Sequence, residues 1–163
     1  MHARKATPAD AAAIARIYNQ GILGRQATFE SRLRTAGDVA GWFDDTHPIV
    51  VVEHGAALLA FAATSQWRTR RCYAGIAEFS VYVDRACRGQ GAGRAALEAL
   101  LAAAAQAGLW KLLGALFSDN AGSRRLMLAC GFREVGRFER QAQLEGVWRD
   151  VVMFEKRIPA NEK

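Results

Sequence analysis

Cysteine is scarce in this chain, and the few present are not paired by motif. Cys72, Cys87 and Cys130 are odd in number and form no C-x-x-C unit. That spacing predicts neither a disulfide framework nor a structural zinc site. Histidine is equally sparse. His2, His47 and His54 make no H-x-x-x-H or H-E-x-x-H pattern, so no protein-held metal is expected. Long apolar runs are missing too. Ala56–Ala63 and Ala99–Ala105 are the longest, well short of the roughly 18 residues that span a bilayer. Residues Met1 to Pro8 hold no apolar segment of the secretory-leader kind, and a cytoplasmic location without a membrane partner is the expectation. No Pro/Gly/Ser-rich linker, long charge run or internal repeat divides the 163 residues, which predicts a single domain over 1–163.

What is present suits a folded chain. Apolar residues make up 51% and charged residues 23%, which excludes a disordered or fibrous protein and allows a core without staples. The net charge is +6, and 18 of the 22 basic residues are arginine. The guanidinium fork suits carboxylate and phosphate, so an anionic ligand is one reading and compositional bias the other. A basic excess also admits nucleic acid. Here, however, the arginines scatter over loops and helix ends, with no recognition helix and no basic groove interleaved with aromatics. No nucleic-acid partner is expected.

Periodicity orders the elements. Arg4–Thr7 reads as a strand, and Pro8-Ala9-Asp10 opens a helix with Thr7 as its N-cap and Ala13, Ile14, Ile17 and Tyr18 at helical spacing. A polar stretch holding Gly21 and Gly24 follows, and then a short helix over Thr35–Asp45 carrying Val39, Trp42 and Phe43. Ile49–Glu53 and Ala56–Gln66 form a hairpin around His54-Gly55. After a basic break, Tyr73–Val83 is a strand. Arg94 to Ala107 is a helix with Leu97, Leu100, Leu101 and Ala104 on one stripe, ended by Gly108. Strand Lys111–Phe117, helix Asn120–Cys130 and an antiparallel pair, Phe132–Arg140 with Val147–Lys156, complete the chain. The order β-α-α-β-β-β-α-β-α-β-β predicts a mixed α/β sheet with helices on both faces.

The richest segment is Ser80 to Arg94, where a β-branched strand runs into Arg88-Gly89-Gln90-Gly91-Ala92-Gly93 and a long helix begins. Glycine lets the main chain take positive φ and approach a ligand closely. A helix N-terminus offers unpaired N–H groups and a positive partial charge. Together these make a cradle for a pyrophosphate, with Arg88 and Arg94 beside it. A tight packing turn is the alternative. The segment is neither a Walker A loop nor a dinucleotide fingerprint, since no G-K-[ST] follows and the glycines fall at 89, 91 and 93.

Arg88-x-x-Gly91-x-Gly93, with Asn120-x-x-Ser123 and Gly131-Phe132 downstream, resembles the acetyl-CoA motif and second cofactor helix of the GCN5-related N-acetyltransferases. Ile17-Tyr18-Asn19, Ala27-Thr28-Phe29-Glu30, Glu78-Phe79-Ser80-Val81-Tyr82-Val83 and Trp148-Arg149-Asp150-Val151 narrow the resemblance. They look like the phosphinothricin and methionine sulfoximine acetyltransferases, the arsinothricin branch above all. Such motifs run from residue 4 to about 157.

The resemblance implies a mixed, mostly antiparallel sheet of about seven strands, acetyl-CoA as co-substrate, a small amino-acid-like amine as acceptor, and a homodimer. It gives the cofactor Val81 and Val83 through main-chain atoms, Arg88, Gly89, Gly91, Gly93 and Arg94 at the pyrophosphate, and Asn120 and Ser123. Read as plain chemistry, Val81 and Val83 are also strand core, and Asn120 is also an N-cap. Glu78 becomes the base that takes the amine's proton, against a salt bridge to a nearby arginine. Arg68, Arg70 and Tyr73 become the holders of the acceptor's acidic groups, against a solvated basic loop. Phe29 and Glu30 wall the amine pocket. Two positions depart from the family. Met127 stands where many members place a tyrosine that protonates the thiolate, and Glu145 where phosphinothricin acetyltransferases carry a histidine. Three other readings remain open at this point: the same enzyme acting on a polyamine, aminoglycoside or protein N-terminus, a cofactor-binding sensor without catalysis, and the nucleic-acid module.

Overall fold

Residue alternation builds the sheet, and the helices close over both of its faces. The computed structural model describes residues 1–163. In chain order it has β1 (His2–Lys5), α1 (Ala11–Gly24), α2 (Ala36–Ala40), β2 (Ile49–His54), β3 (Ala57–Gln66) and β4 (Ile76–Val83). Then come α3 (Ala92–Gln106), β5 (Lys111–Phe117), α4 (Ala121–Ala129), β6 (Arg133–Leu144) and β7 (Val147–Arg157). The seven strands lie in the order β1-β2-β3-β4-β5-β7-β6. Only β4 and β5 pair in parallel. Parallel neighbours need a long crossover, and α3 supplies it. This is the mixed, mostly antiparallel sheet that the sequence led us to expect.

Successive side chains of a strand point to opposite faces. On one face Val50, Val52, Ala60, Ala62, Ala77 and Phe79 pack with Leu97, Leu100 and Ala104 of α3 and Met127 of α4. On the other, Val51 and Phe61 meet Ile14 and Ile17 of α1 and Val39 of α2. Ile49 to Val52 is therefore buried throughout, and reads as an unbroken apolar run.

Several element ends fall away from the sequence reading, each for a local reason. β1 is His2–Lys5, not Arg4–Thr7. The Asp10 carboxylate accepts from the Thr7 N–H at 2.8 Å and turns the chain there. One 3-10 turn, Pro8–Asp10, then precedes α1. α2 stops at Ala40 instead of running to Asp45, because the N–H groups of Trp42 and Phe43 bond three residues back, to Val39 and Ala40, and the Asp44 carboxylate then captures the N–H groups of Thr46 at 2.7 Å and His47 at 2.6 Å. β4 begins at Ile76, and Arg71–Tyr73 is a 3-10 turn rather than strand. α3 starts two residues early, at Ala92. β6 reaches Leu144 because Glu145 and Gly146 both take positive φ, 50° and 79°, which closes a tight hairpin into β7.

Candidate active site

The sheet is open at one place. β4 and β5 pair only at Ile76–Lys111, Ala77–Leu112 and Glu78–Leu113. Beyond that vertex they part, while β4 stays bonded to β3 as far as Val83 and β5 to β7 as far as Phe117. The β5-facing main-chain groups of Phe79 to Val83 thus have no strand partner, although such groups need one. The opening is a narrow slot of about 50 Å³ that includes Val81, Gly114, Asn120, Ser123 and Met127 in its walls. It shares Phe79, Ser80, Tyr82, Ala115 and Leu116 with a larger cleft of about 740 Å³.

The end of the slot meets the glycine loop. Asp84 accepts from the Ala86 N–H at 3.0 Å and pairs with Arg16 of α1. Gln20 of α1 accepts from the Arg85 N–H at 2.8 Å. α1 therefore pins the loop from across the sheet. Gly91 then sits at φ +87° as the residue before α3, a conformation that costs a residue with a Cβ about 1–2 kcal/mol. At Gly93 a Cβ would stand 3.1 Å from Val83 Cγ2, so the small residue lets the helix N-terminus sit against the end of β4. Arg88 is exposed and has no ion-pair partner, whereas Arg94 is held by Glu98 at 2.7 Å. Unpaired helix N–H groups, an unpaired arginine and an unobstructed glycine loop fit a pyrophosphate.

Asn120 lines the slot as the N-cap of α4. Its side chain caps α4 by accepting from the Ser123 N–H at 3.1 Å, and donates to the Gln26 carbonyl at 3.1 Å. Met127 is fully buried in the larger core, and a thioether donates no proton.

The cleft is built on the α1 face. Glu78, Ser80 and Tyr82 alternate toward it along β4. Tyr82 packs edge-on against Tyr18, with ring centroids 4.9 Å apart, and stacks on Phe61. Tyr18 in turn meets Trp42 at 5.4 Å. Burial pushes both phenols above their ordinary pKa. Phe29 closes another side against Phe117 at 4.8 Å. Three carboxylates line the cleft. Glu30 is paired with Arg34 at 2.7 Å and Asp44 with His47 at 2.8 Å. Burial works against the charged Asp44, yet the His47 ring and the His47 and Thr46 N–H groups hold its carboxyl below the usual range. Glu78, at the vertex, has no hydrogen-bond or ion-pair partner.

Most of the expected site residues converge here. Glu78, Phe29 and Glu30 line the cleft. Val81, Asn120 and Ser123 line the slot. Val83, Gly89, Gly91 and Gly93 carry the strand into the loop. The structure does not bring Arg68, Arg70 or Tyr73 to the cleft lining. Their segment folds on itself: Arg68 covers the Trp67 ring at 4.8 Å, Arg70 faces Tyr73 at 6.0 Å, and Trp67 and Tyr73 pack edge-on. Glu145 lies in the β6–β7 turn, paired with Arg25 at 2.8 Å. Sequence reasoning missed Arg34, Trp42, Asp44 and His47 as cleft residues. The run Trp42 to His47 carried a signal, a polar break with an aromatic, histidine and acid clustered, but nothing local said which face it covers.

A sheet opened at a vertex, a glycine loop and helix N-terminus beyond the opening, and a cleft beside it with an unpartnered carboxylate have the layout that a two-substrate group-transfer enzyme needs. The acetyltransferase (GNAT) family model matches residues 16–132, and the chain belongs to that family; by class it is an N-acetyltransferase. It is 31% identical over 157 residues to the L-methionine sulfoximine/L-methionine sulfone acetyltransferase of Pseudomonas aeruginosa, covering 93% of this chain and 91% of that one. It is 31% identical to the phosphinothricin N-acetyltransferase of Alcaligenes faecalis, covering 94% and 80%. A crystal structure of a phosphinothricin acetyltransferase from Sinorhizobium meliloti in complex with AcCoA superposes with a TM-score of 0.88 at 26% identity, covering 96% and 88%.

Proposed function

We propose that this enzyme acetylates the amine of a small amino-acid-like acceptor of the phosphinothricin, methionine sulfoximine or arsinothricin kind, with acetyl-CoA as donor and Glu78 as general base. One observation carries the reading. Glu78 is the only unpartnered carboxylate in the cleft, and it stands at the last β4–β5 pair, next in sequence to Phe79 and Ser80, which the cleft shares with the slot. The relatives named for these acceptors support the substrate class, and the AcCoA complex of a structural neighbour supports the donor.

Bound acetyl-CoA supplies an acyl carbonyl already activated as a thioester. The rest is work for this chain. The glycine loop, Arg88 and the α3 N-terminus hold the pyrophosphate. The unpaired main chain of Phe79 to Val83 holds the extended arm, and one of its N–H groups polarises the carbonyl. An alkyl ammonium has a pKa near 10, so the acceptor arrives protonated and Glu78 takes that proton, directly or through water. Asn120 and Ser123 orient the sulfur end. α4 offers no side-chain acid there, because Met127 fills the place.

A cytoplasmic location and a homodimer belong to the same reading. Three unpaired cysteines fit a reducing compartment. β6 is an edge strand exposed along most of its length, with Val135 and Phe138 exposed on it and Val147 and Trp148 beside it; sedimentation tests the dimer.

A second reading keeps the enzyme and changes the acceptor. Three carboxylates face one arginine and one histidine in the cleft, which suits a cation such as a polyamine or aminoglycoside. Release of the CoA thiol across a panel of amines separates the two. Turnover confined to the acidic amino-acid analogues supports the first reading, and turnover confined to cations or a peptide overturns it. Within the first reading, Glu78→Gln lowers kcat/KM about 10²-fold or more with acetyl-CoA affinity retained. Undiminished turnover across pH in that variant removes Glu78 from the role.

A further inference from the structure

We infer that Arg34 selects the acceptor by taking its carboxylate, exchanging Glu30 for the substrate; this rests on the proposed amino-acid acceptor. Arg34 is the only arginine or lysine lining the cleft. Its main chain is clamped on both sides by one side chain of α1. The Arg34 N–H donates to Asn19 Oδ1 at 2.8 Å, and Asn19 Nδ2 donates to the Arg34 carbonyl at 2.9 Å. The side chain then lies with its guanidinium 5.9 Å from the Tyr18 ring centre and is only 14% exposed. The arginine is thus fixed by the fold before any substrate arrives.

Nη1 of the guanidinium donates to the Arg32 carbonyl, and the carboxylate on Nη2 is the partner that is not fixed. Glu30 pairs there at 2.7 Å, but the Glu30 side chain is 51% exposed and accepts no other side-chain hydrogen bond. A half-exposed ion pair contributes little net stability, so an incoming carboxylate replaces Glu30 at small cost while Glu30 turns to water. The His47 ring is already engaged by Asp44. Arg34 and Glu78 line one cleft. A zwitterion therefore finds a cation for its carboxylate and a free carboxylate for its ammonium within the same space. Arg68 and Arg70, the arginines that the sequence offered for this task, lie outside it.

The test compares L-methionine sulfoximine with its α-carboxamide, which keeps the amine and side chain and loses the negative charge. Wild type is expected to prefer the acid. Arg34→Gln is expected to raise KM for the acid by about ten- to hundredfold, the loss of a charge-assisted pair. KM for the carboxamide and for acetyl-CoA stays within a few fold, so the preference collapses. Arg34→Lys keeps the charge without the fork and falls between. An unchanged melting temperature in both variants excludes misfolding as the cause. If wild type turns over the acid and Arg34→Gln keeps the full preference, Arg34 is overturned and the acceptor class stands. If wild type turns over neither compound, nor phosphinothricin or arsinothricin in place of the acid, the acceptor class falls and Arg34 with it.

Discussion

Just beyond the vertex, Gly114 of β5 leaves the room that the Phe79 ring of β4 occupies, and a single methylene would fill it. A Cβ at Gly114 would stand 2.6 Å from Phe79 Cε1 and 2.7 Å from its Cζ. Phe79 has nowhere to retreat, since its ring packs against Phe132 at 4.9 Å inside the larger core. Overpacking a filled core costs about 1–3 kcal/mol. Gly114→Ala is therefore expected to lose about that much stability in urea unfolding, and to lower turnover because Gly114 and Phe79 both line the slot. Gly136→Ala is the companion measurement. It lies on the exposed β6 with no atom within 4 Å of the added Cβ, and its effect should stay within about 0.5 kcal/mol. Equal losses at the two sites would show that the Phe79 contact is not what makes Gly114 necessary.

α1 is the element on which the site depends. Arg16 and Gln20 hold the loop before the glycines, Asn19 clamps Arg34, and Tyr18 forms a cleft wall. Its own start is tied to the sheet. Arg4 of β1 pairs with Asp10 at 2.8 Å and with Glu53 of β2 at 2.9 Å. The Arg4 guanidinium, against the opposing effect of burial and with help from the Thr7 N–H, holds the Asp10 carboxyl down at about 2. A carboxyl with a depressed folded pKa adds stability above its unfolded value, near 4, and loses it as pH falls through the folded one. Asp10→Asn should therefore be less stable than wild type at neutral pH by roughly 1 kcal/mol, allowing for screening of a partly exposed pair. That gap should close between about pH 4 and pH 2. Urea midpoints taken along that range check it, and a gap independent of pH would remove the ion pair as its source.

The same element shows what a sequence can reveal. Ile14 and Ile17 at helical spacing marked α1, and alternation along β4 together with the glycine loop after it marked the cofactor side. Those signals are local, and the structure keeps the helix, the strand and the glycine loop that they marked. The ends failed where a side chain caught the main chain, Asp10 at Thr7 and Asp44 at Thr46 and His47. The cleft lining differs from the sequence reading for another reason. Arg34 becomes a cleft residue only because Asn19, 15 positions earlier, binds its main chain, and no periodicity announces such a contact. Arg68 and Arg70 looked better in sequence because they stand next to the strand of Glu78, yet their turn folds back on Trp67 and Tyr73.

The molecule as a whole is a sheet with one unzipped seam between two cores. Nineteen buried residues pack on the α3 face and ten on the α1 face. Every neighbouring pair of strands is bonded over most of its shared length except β4 and β5. The seam leaves main-chain groups that only a ligand or water can satisfy, so a donor that fills it couples the two halves of the sheet. Binding to the folded state alone stabilises it by about 2.7 kcal/mol at a ligand concentration 100 times Kd. For a chain of this size each kcal/mol moves the melting temperature by about 2–4 °C. Acetyl-CoA without any acceptor should therefore raise Tm by about 5–11 °C at that concentration, and Arg88→Ala should need more of it for the same rise. Scanning calorimetry over a concentration series measures both. A melting temperature indifferent to acetyl-CoA would place the donor elsewhere than in this seam. A rise that Arg88→Ala leaves unaltered would keep the seam and move the pyrophosphate away from Arg88.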